Sequence, residues 1–223
     1  MISESREMEI PAELRTLLPE LTDEQVRLLV EYLDLLKQWN RKVNLVSRKD
    51  VERLWENHIL PSLVPFTLLT ISRESRVLDI GSGGGFPAIP WKIVRPDLEM
   101  LLVDSVRKKS LFLRQVISTL NLENIAVENE RIENLSRRFE YQEKFDIITG
   151  RAVTTVETLV QWGKPFLKAR GWFLLWKGSS DVLELENAAR SLGFSYTIYQ
   201  TPKDVLRLSE KLAHLCWFQI TFP

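Results

Sequence analysis

The chain predicts an α/β fold: a doubly wound, mostly parallel sheet with helices on both faces, one antiparallel strand near the C-terminus, and a helical extension at the N-terminus. Three observations predict it. Between residues 76 and 191 short apolar runs alternate with helix-length amphipathic segments, the pattern of βαβ units whose crossovers cover both faces of a parallel sheet. Before residue 72 the hydrophobic period is helical. After residue 191 two strand-like runs follow each other with no helical pattern between them, which suggests a hairpin that reverses the chain.

The elements follow in order. Val26, Leu29, Val30, Leu33, Leu36 and Trp39 recur at spacings of three and four across 22–40, and Thr22 with Gln25 is a capping-box pair, so this stretch predicts an amphipathic helix. A second helical pattern runs from 50 through Leu54, Trp55 and Ile59 until Pro61 stops it. A short apolar segment, 63–71, leads to a polar joint at 72–75. Strands are expected at 76–80, 99–104, 125–129, 145–149 and 171–177, with helices at 88–94, 108–120, 156–167 and 181–191. The closing strands fall at 194–200 and 214–221. No Gly- or Ser-rich linker divides the chain, so residues 1–72 are read as an extension packed on a domain of residues 73–223.

Composition narrows the class. The 223 residues are 44% hydrophobic and 27% charged, ordinary values that exclude collagenous, disordered and disulfide-scaffold proteins. The single cysteine, Cys216, cannot pair within the chain and sits in an apolar run as a small hydrophobe, so a reducing cytoplasm is expected. The first residues carry Glu4, Glu7 and Glu9 rather than a basic and apolar leader, and no apolar run approaches the roughly 18 residues of a membrane span. No membrane association is expected, and a monomer is. Net charge is zero but unevenly placed. Glu4, Glu7, Glu9, Glu13, Glu20, Asp23, Glu24, Glu31 and Asp34 outweigh Arg6, Arg15, Arg27 and Lys37 in residues 1–40, whereas 41–53 and 105–122 are basic.

The densest local signal is Val77-Leu78-Asp79-Ile80-Gly81-Ser82-Gly83-Gly84-Gly85-Phe86, an apolar strand entering a glycine-rich turn before a helix. Ligands of doubly wound sheets bind at such strand ends, and glycine permits close backbone approach and positive φ. A dinucleotide fingerprint needs a third glycine where Phe86 stands. Asp79, Gly81, Gly83 and Gly85 instead spell D-x-G-x-G-x-G, which resembles the first motif of S-adenosylmethionine-dependent methyltransferases. A sulfonium cofactor has no pyrophosphate, and the Asp79 carboxylate suits its ammonium group. Asp104 closes the second strand, where an acid accepts hydrogen bonds from ribose hydroxyls.

Further passages carry a closer resemblance: Trp39-Asn40-Arg41-Lys42-Val43-Asn44-Leu45, Gly83-Gly84-Gly85-Phe86-Pro87-Ala88-Ile89-Pro90, Leu102-Val103-Asp104-Ser105-Val106-Arg107-Lys108-Lys109 with Phe112-Leu113-Arg114, Gly150-Arg151-Ala152-Val153 and Leu175-Trp176-Lys177-Gly178. Together they resemble the glucose-inhibited division protein B family, bacterial small-subunit rRNA guanine-N7 methyltransferases, from about residue 35 to 178. The resemblance implies a class I methyltransferase (Rossmann-like) sheet with an N-terminal helical extension, S-adenosylmethionine as cofactor, and the 530 loop of 16S rRNA, within the small subunit or its precursor, as substrate. It places cofactor contacts on Gly81 and Phe86 in the loop, where Ser82, Gly83 and Gly85 are further candidates, on Ile132 and Glu133 after the third strand, and on Arg151 after the fourth. The family's H-I-L-D-S reads His58-Ile59-Leu60-Pro61-Ser62 here and L-P-G-I-P reads Phe86-Pro87-Ala88-Ile89-Pro90, so no role is carried to His58. Nothing is transferred to the chain beyond Lys177.

N7 of guanine has a lone pair and no proton, so the implied reaction needs alignment rather than a general base; Arg151 and Lys177 are the candidate orienting groups. Arg41, Lys42, Arg48 and Lys49, with Arg107, Lys108, Lys109 and Arg114, are candidate RNA contacts. The seven tryptophans read as core packing, and His58 and His214 lack metal-ligand spacing, so no metal is expected. The competing classes are a small-molecule methyltransferase, a nicotinamide oxidoreductase, which Phe86 disfavours, and a non-catalytic RNA-binding protein.

Overall fold

The computed structural model describes residues 12–223; Glu4, Glu7 and Glu9 lie outside the described residues. Helices α1 (Ala12–Leu17) and α2 (Asp23–Asn40) come first. The capping box forms: Gln25 N–H donates to the Thr22 hydroxyl, and Thr22 N–H to the Gln25 side-chain oxygen. The Gln25 amide nitrogen then donates to the carbonyls of Ile93 and Val94, so the residue that starts α2 also docks it.

Pro61 does not stop the second helical pattern. A 3-10 turn (Val51–Arg53) is followed by a π-helical turn (Trp55–Ile59), and the chain continues into α3 (Leu60–Leu63) and α4 (Pro65–Leu68). The wide turn, in which Leu60 N–H reaches the Trp55 carbonyl, leaves Pro61 at the start of α3, where its missing donor is not needed.

The remaining elements are β1 (Arg76–Ile80), α5 (Ala88–Val94), β2 (Glu99–Val103), α6 (Arg107–Thr119), β3 (Ile125–Glu128), α7 (Ile132–Leu135), β4 (Phe145–Arg151), α8 (Val156–Gly163), β5 (Leu167–Gly178), α9 (Val182–Leu192), β6 (Ser195–Gln200), α10 (Lys203–Leu206) and β7 (Leu215–Thr221). They form one seven-stranded sheet in the order β3-β2-β1-β4-β5-β7-β6. Strands β1 to β5 are parallel, and β7 runs antiparallel to both β5 and β6. The reversed strand therefore lies inside the sheet rather than at its edge.

Three expectations are corrected. The helix at 156–167 ends at Gly163 and tightens into a 3-10 turn, Lys164–Phe166, around Pro165. Strand β5 begins at Leu167, not 171, because Leu167 pairs with Phe145 across a register shift. The link between the last two strands is no plain hairpin: it holds α10 and a 3-10 turn, Glu210–His214.

Strands β1, β2, β4, β5 and β7 are buried on both faces, as their apolar runs require, whereas the edge strand β6 is largely exposed. On one face Val77, Met100, Ile147, Leu174 and Trp217 pack with Leu29, Leu33 and Leu36 of α2 and with Trp91 of α5. On the other, Leu78, Ile80, Ile148, Leu175 and Phe218 meet α8 and α9 through Leu159, Val160, Leu185 and Ala188.

Candidate functional site

Strand β1 lies between β2 and β4, so the crossovers part on either side of its carboxyl end and open a crevice there. The glycine turn fills this position. Gly85 has φ +94°, and a Cβ on it would lie 2.7 Å from Ile89 Cγ1 and 3.0 Å from Tyr32 Oη, so no other residue fits. Gly81 and Ser82 N–H both donate to the Val103 carbonyl, at 2.8 and 3.1 Å. Asp104 ties the turn to β2: its Oδ2 accepts from Gly83 N–H and its Oδ1 from Val106 N–H, both at 2.8 Å. Each oxygen keeps a second lone pair. Beside it opens a cleft of about 350 Å³ lined by Gly81, Asp104 and Lys109, by Ile132 and Glu133 of α7, by Ala152 and Val153 after β4, and by Trp162 of α8.

A second group surrounds Phe86. Asp79 is buried; its Oδ1 accepts from the Thr149 hydroxyl at 2.7 Å, while its Oδ2 has no partner among the described residues. Burial pushes its carboxyl up to about 7 despite that bond. The His58 ring stacks on Phe86 with centroids 4.6 Å apart, and the Arg151 guanidinium lies 6.0 Å from the same ring centroid. Arg151 Nη2 donates to the Asn57 carbonyl at 2.7 Å, in the π-helical turn, but its Nη1 is buried without a partner among the described residues. Desolvation lowers the Arg151 guanidinium to about 10, still cationic at neutral pH. Burial, with Arg151 and Lys211 nearby, holds His58 down at about 3, so it is neutral. Asp50 completes the group, 3.6 Å from His58 Nε2 and 3.8 Å from Lys211 Nζ. Lys211 arrives from the β6–β7 link, which Ser209 anchors to the Glu56 carbonyl. Tyr32 of α2 donates its hydroxyl to the Gly84 carbonyl and packs on Phe86.

The other predicted residues are spread more widely. Lys177 is held by Glu184 at 3.2 Å and by the Thr154 carbonyl, away from the cleft's lining. Arg114 donates to the Val127 carbonyl at 2.7 Å. Arg41, Lys42, Arg48, Lys49, Arg107 and Lys108 are exposed. Trp55, Trp91, Trp176 and Trp217 are buried core residues, and Trp39, Trp162 and Trp172 are half-buried and pack against the core, as expected; Trp39 and Trp162 in addition line clefts. Trp162, Asp50 and Lys211 escaped sequence reasoning because nothing near them in the chain marks them. Among the described residues no three His, Cys, Asp or Glu side chains cluster as a metal site, and no helix is long and apolar enough to cross a membrane.

These residues suit S-adenosylmethionine. Its zwitterionic end needs an acceptor for an ammonium and a cation for a carboxylate, and the unpartnered Asp79 Oδ2 and Arg151 Nη1 are one of each. Its nucleoside needs a carboxylate with free lone pairs and an apolar wall, which Asp104 and Ile132 supply. Residues 25–213 match the family described as rRNA small subunit methyltransferase G. The chain belongs to that family.

Relatives named ribosomal RNA small subunit methyltransferase G include those of Moorella thermoacetica, 38% identical over 77% of this chain and 72% of its own length, and Desulfitobacterium hafniense, 40% identical over 78% and 73%. Among solved structures, a putative S-adenosyl-L-methionine-dependent methyltransferase from Methanococcus maripaludis superposes with a TM-score of 0.58 at 16% identity, covering 78% of this chain and 91% of that one. A SAM-dependent methyltransferase from Aquifex aeolicus gives 0.56 at 13%, covering 75% and 90%. These two show the fold. As a member of the rRNA small subunit methyltransferase G family, the protein is an S-adenosylmethionine-dependent methyltransferase built on the class I sheet.

Proposed function

We propose that the protein methylates N7 of a guanine in the 530 loop of bacterial 16S rRNA, as a cytoplasmic monomer acting on the small subunit or its precursor. S-adenosylmethionine, when bound, supplies an electrophilic methyl group. Asp79 and Arg151 hold its amino-acid end, Asp104 its ribose, and Ile132 with Glu133 its adenine, while Gly81, Ser82, Gly83, Gly85 and Phe86 shape the turn. N7 presents a lone pair and no proton, so the residues around Phe86 need only align the base, a contribution of roughly 7–11 kcal/mol for well-oriented reactants. Arg151, fixed by Asn57 and laid against Phe86, is the orienting group. Residues 1–72 serve as a helical extension of the methyltransferase domain, residues 73–223.

The observation that carries the RNA reading lies in one helical turn. Lys109 lines the cofactor cleft while its neighbours Arg107 and Lys108 face solvent, so phosphate-binding charge begins where the methyl donor's cleft ends. Labelled S-adenosylmethionine incubated with bacterial small subunits tests this, since borohydride and aniline cut RNA at 7-methylguanine. One labelled cleavage site, lost in Asp104→Ala, is expected. Absence of label with the cofactor still bound would return the search to small molecules. Arg107→Glu with Lys108→Glu is expected to weaken RNA binding and leave cofactor affinity intact.

A further inference from the structure

A second cleft, of about 540 Å³, shares no lining residue with the cofactor cleft. It lies between the end of α2 and the exposed face of α6, and Gln38, Trp39, Lys42, Val43, Lys108 and Gln115 line it. Trp39 is half-buried and backed by the Phe112 ring, with centroids 5.8 Å apart, which fixes an indole at a surface. Lys42 and Lys108 are exposed and make no ion pair among the described residues, and no acid lines the cleft. Leu111 sits between Lys108 and Gln115 at helical spacing and is 48% exposed, an apolar side chain left in water on the face of α6 that carries both. Lys108 and Lys109 are adjacent, so the two clefts open on either side of one helical turn.

We propose that this cleft binds one single-stranded nucleotide of the RNA substrate, next to the guanine that is methylated; the proposal rests on the RNA reading above. Each wall meets a part of a nucleotide. The base stacks on Trp39 and covers Leu111, its phosphate lies between Lys42 and Lys108, and the amides of Gln38 and Gln115 reach its edge. Stacking accepts any base, since every base has a π-face, and the lysines supply the charge that a backbone phosphate requires. An acidic protein segment would use the lysines but would not depend on an aromatic ring at position 39.

Fluorescence anisotropy with a short fluorescein-labelled single-stranded oligoribonucleotide tests the cleft without turnover. Trp39→Leu is expected to weaken binding roughly tenfold, in the range of one lost base stack, and Trp39→Phe to keep most of it. Lys42→Glu with Lys108→Glu is expected to weaken binding and flatten its salt dependence. Lys144→Glu with Arg170→Glu, exposed at the opposite ends of the strands, controls for overall charge and should change little. Should Trp39→Leu disturb folding, seen as lost S-adenosylmethionine affinity, Gln115→Glu places an anion in the cleft from an exposed position and should weaken binding instead. Unchanged binding in Trp39→Leu or Gln115→Glu, or an equal loss in the control pair, overturns the proposal. Methylation of small subunits separates the two readings. A wild-type enzyme that methylates subunits, with KM unmoved in these variants, overturns the cleft alone. Trp39-dependent oligonucleotide binding without subunit methylation supports the cleft and removes the proposed substrate.

Discussion

The two oxygens of Asp79 divide the work of one buried carboxylate: one is fastened to Thr149, and the other is left open. Burial raises this acid from 3.8 to about 7, so the folded protein holds the proton more tightly than the unfolded chain does. The stability it contributes is complete below the unfolded value and is lost as pH rises through the folded one. Calorimetry of the cofactor-free protein should therefore show a Tm that falls as pH rises from about 4 to about 7 and is level above that, and Asp79→Asn should raise Tm at the upper end. Affinity for S-adenosylmethionine should run the other way, rising over the same interval as the carboxylate ionises, and Asp79→Asn should lose that rise; an Asn variant that binds as tightly as wild type at both pH values would remove Asp79 from the site. Asp79 was legible in the sequence because it lies at the end of an apolar strand that runs into the glycine turn, and Asp104 because it closes the next apolar strand. Arg151 was legible only through the resemblance of the surrounding passages. Asp50, His58 and Lys211 were not legible as a group, because three distant stretches of chain bring them together.

At the scale of elements, α2 does more than cover the sheet. Its first turn grips the end of α5 through Gln25, and its third reaches the glycine turn through Tyr32. Tyr32→Phe keeps the ring and removes the donor to the Gly84 carbonyl. A loss of about 1 kcal/mol is expected, about 2–4 °C in Tm for a chain of this size, together with weaker cofactor binding. Gln25→Ala removes a capping partner and two docking bonds and should cost about 1–2 kcal/mol, read from a denaturant midpoint, without touching the site. β1 and α5 could be read to their end residues because a polar joint and a glycine turn bracket one, and the glycine turn and Pro96 the other. α7 could not, since four residues are too few to display a period. Nor could the π-helical turn, whose function is to seat Pro61 and to present the Asn57 carbonyl to Arg151.

Across the whole molecule the buried cluster beneath one sheet face runs without a break from Leu14 of α1 to Trp217 of β7. Unfolding followed by tryptophan fluorescence and by far-ultraviolet circular dichroism should therefore give coincident transitions, and residues 73–223 alone should lose that cooperativity because the faces of α5 and α6 that α2 covers, and Trp91, which packs on Phe66 and donates to the Ser62 carbonyl, would meet water. Two separate transitions in the full chain would show instead that the helical front is an independent unit. The parallel order of the sheet was legible from alternation, but the place of the reversed strand was not, because pairing partners are chosen across the fold rather than along the chain. Its position has a consequence for synthesis. β5 and β6 leave the ribosome with no neighbour between them, and the gap closes only when residues 215–221 arrive. Through that interval one edge of β5 is open and β6 has no partner strand, with Phe173 and Leu175 uncovered by the last strand, so the nascent chain's hazard of mispairing depends on how quickly the ribosome completes and releases the final stretch.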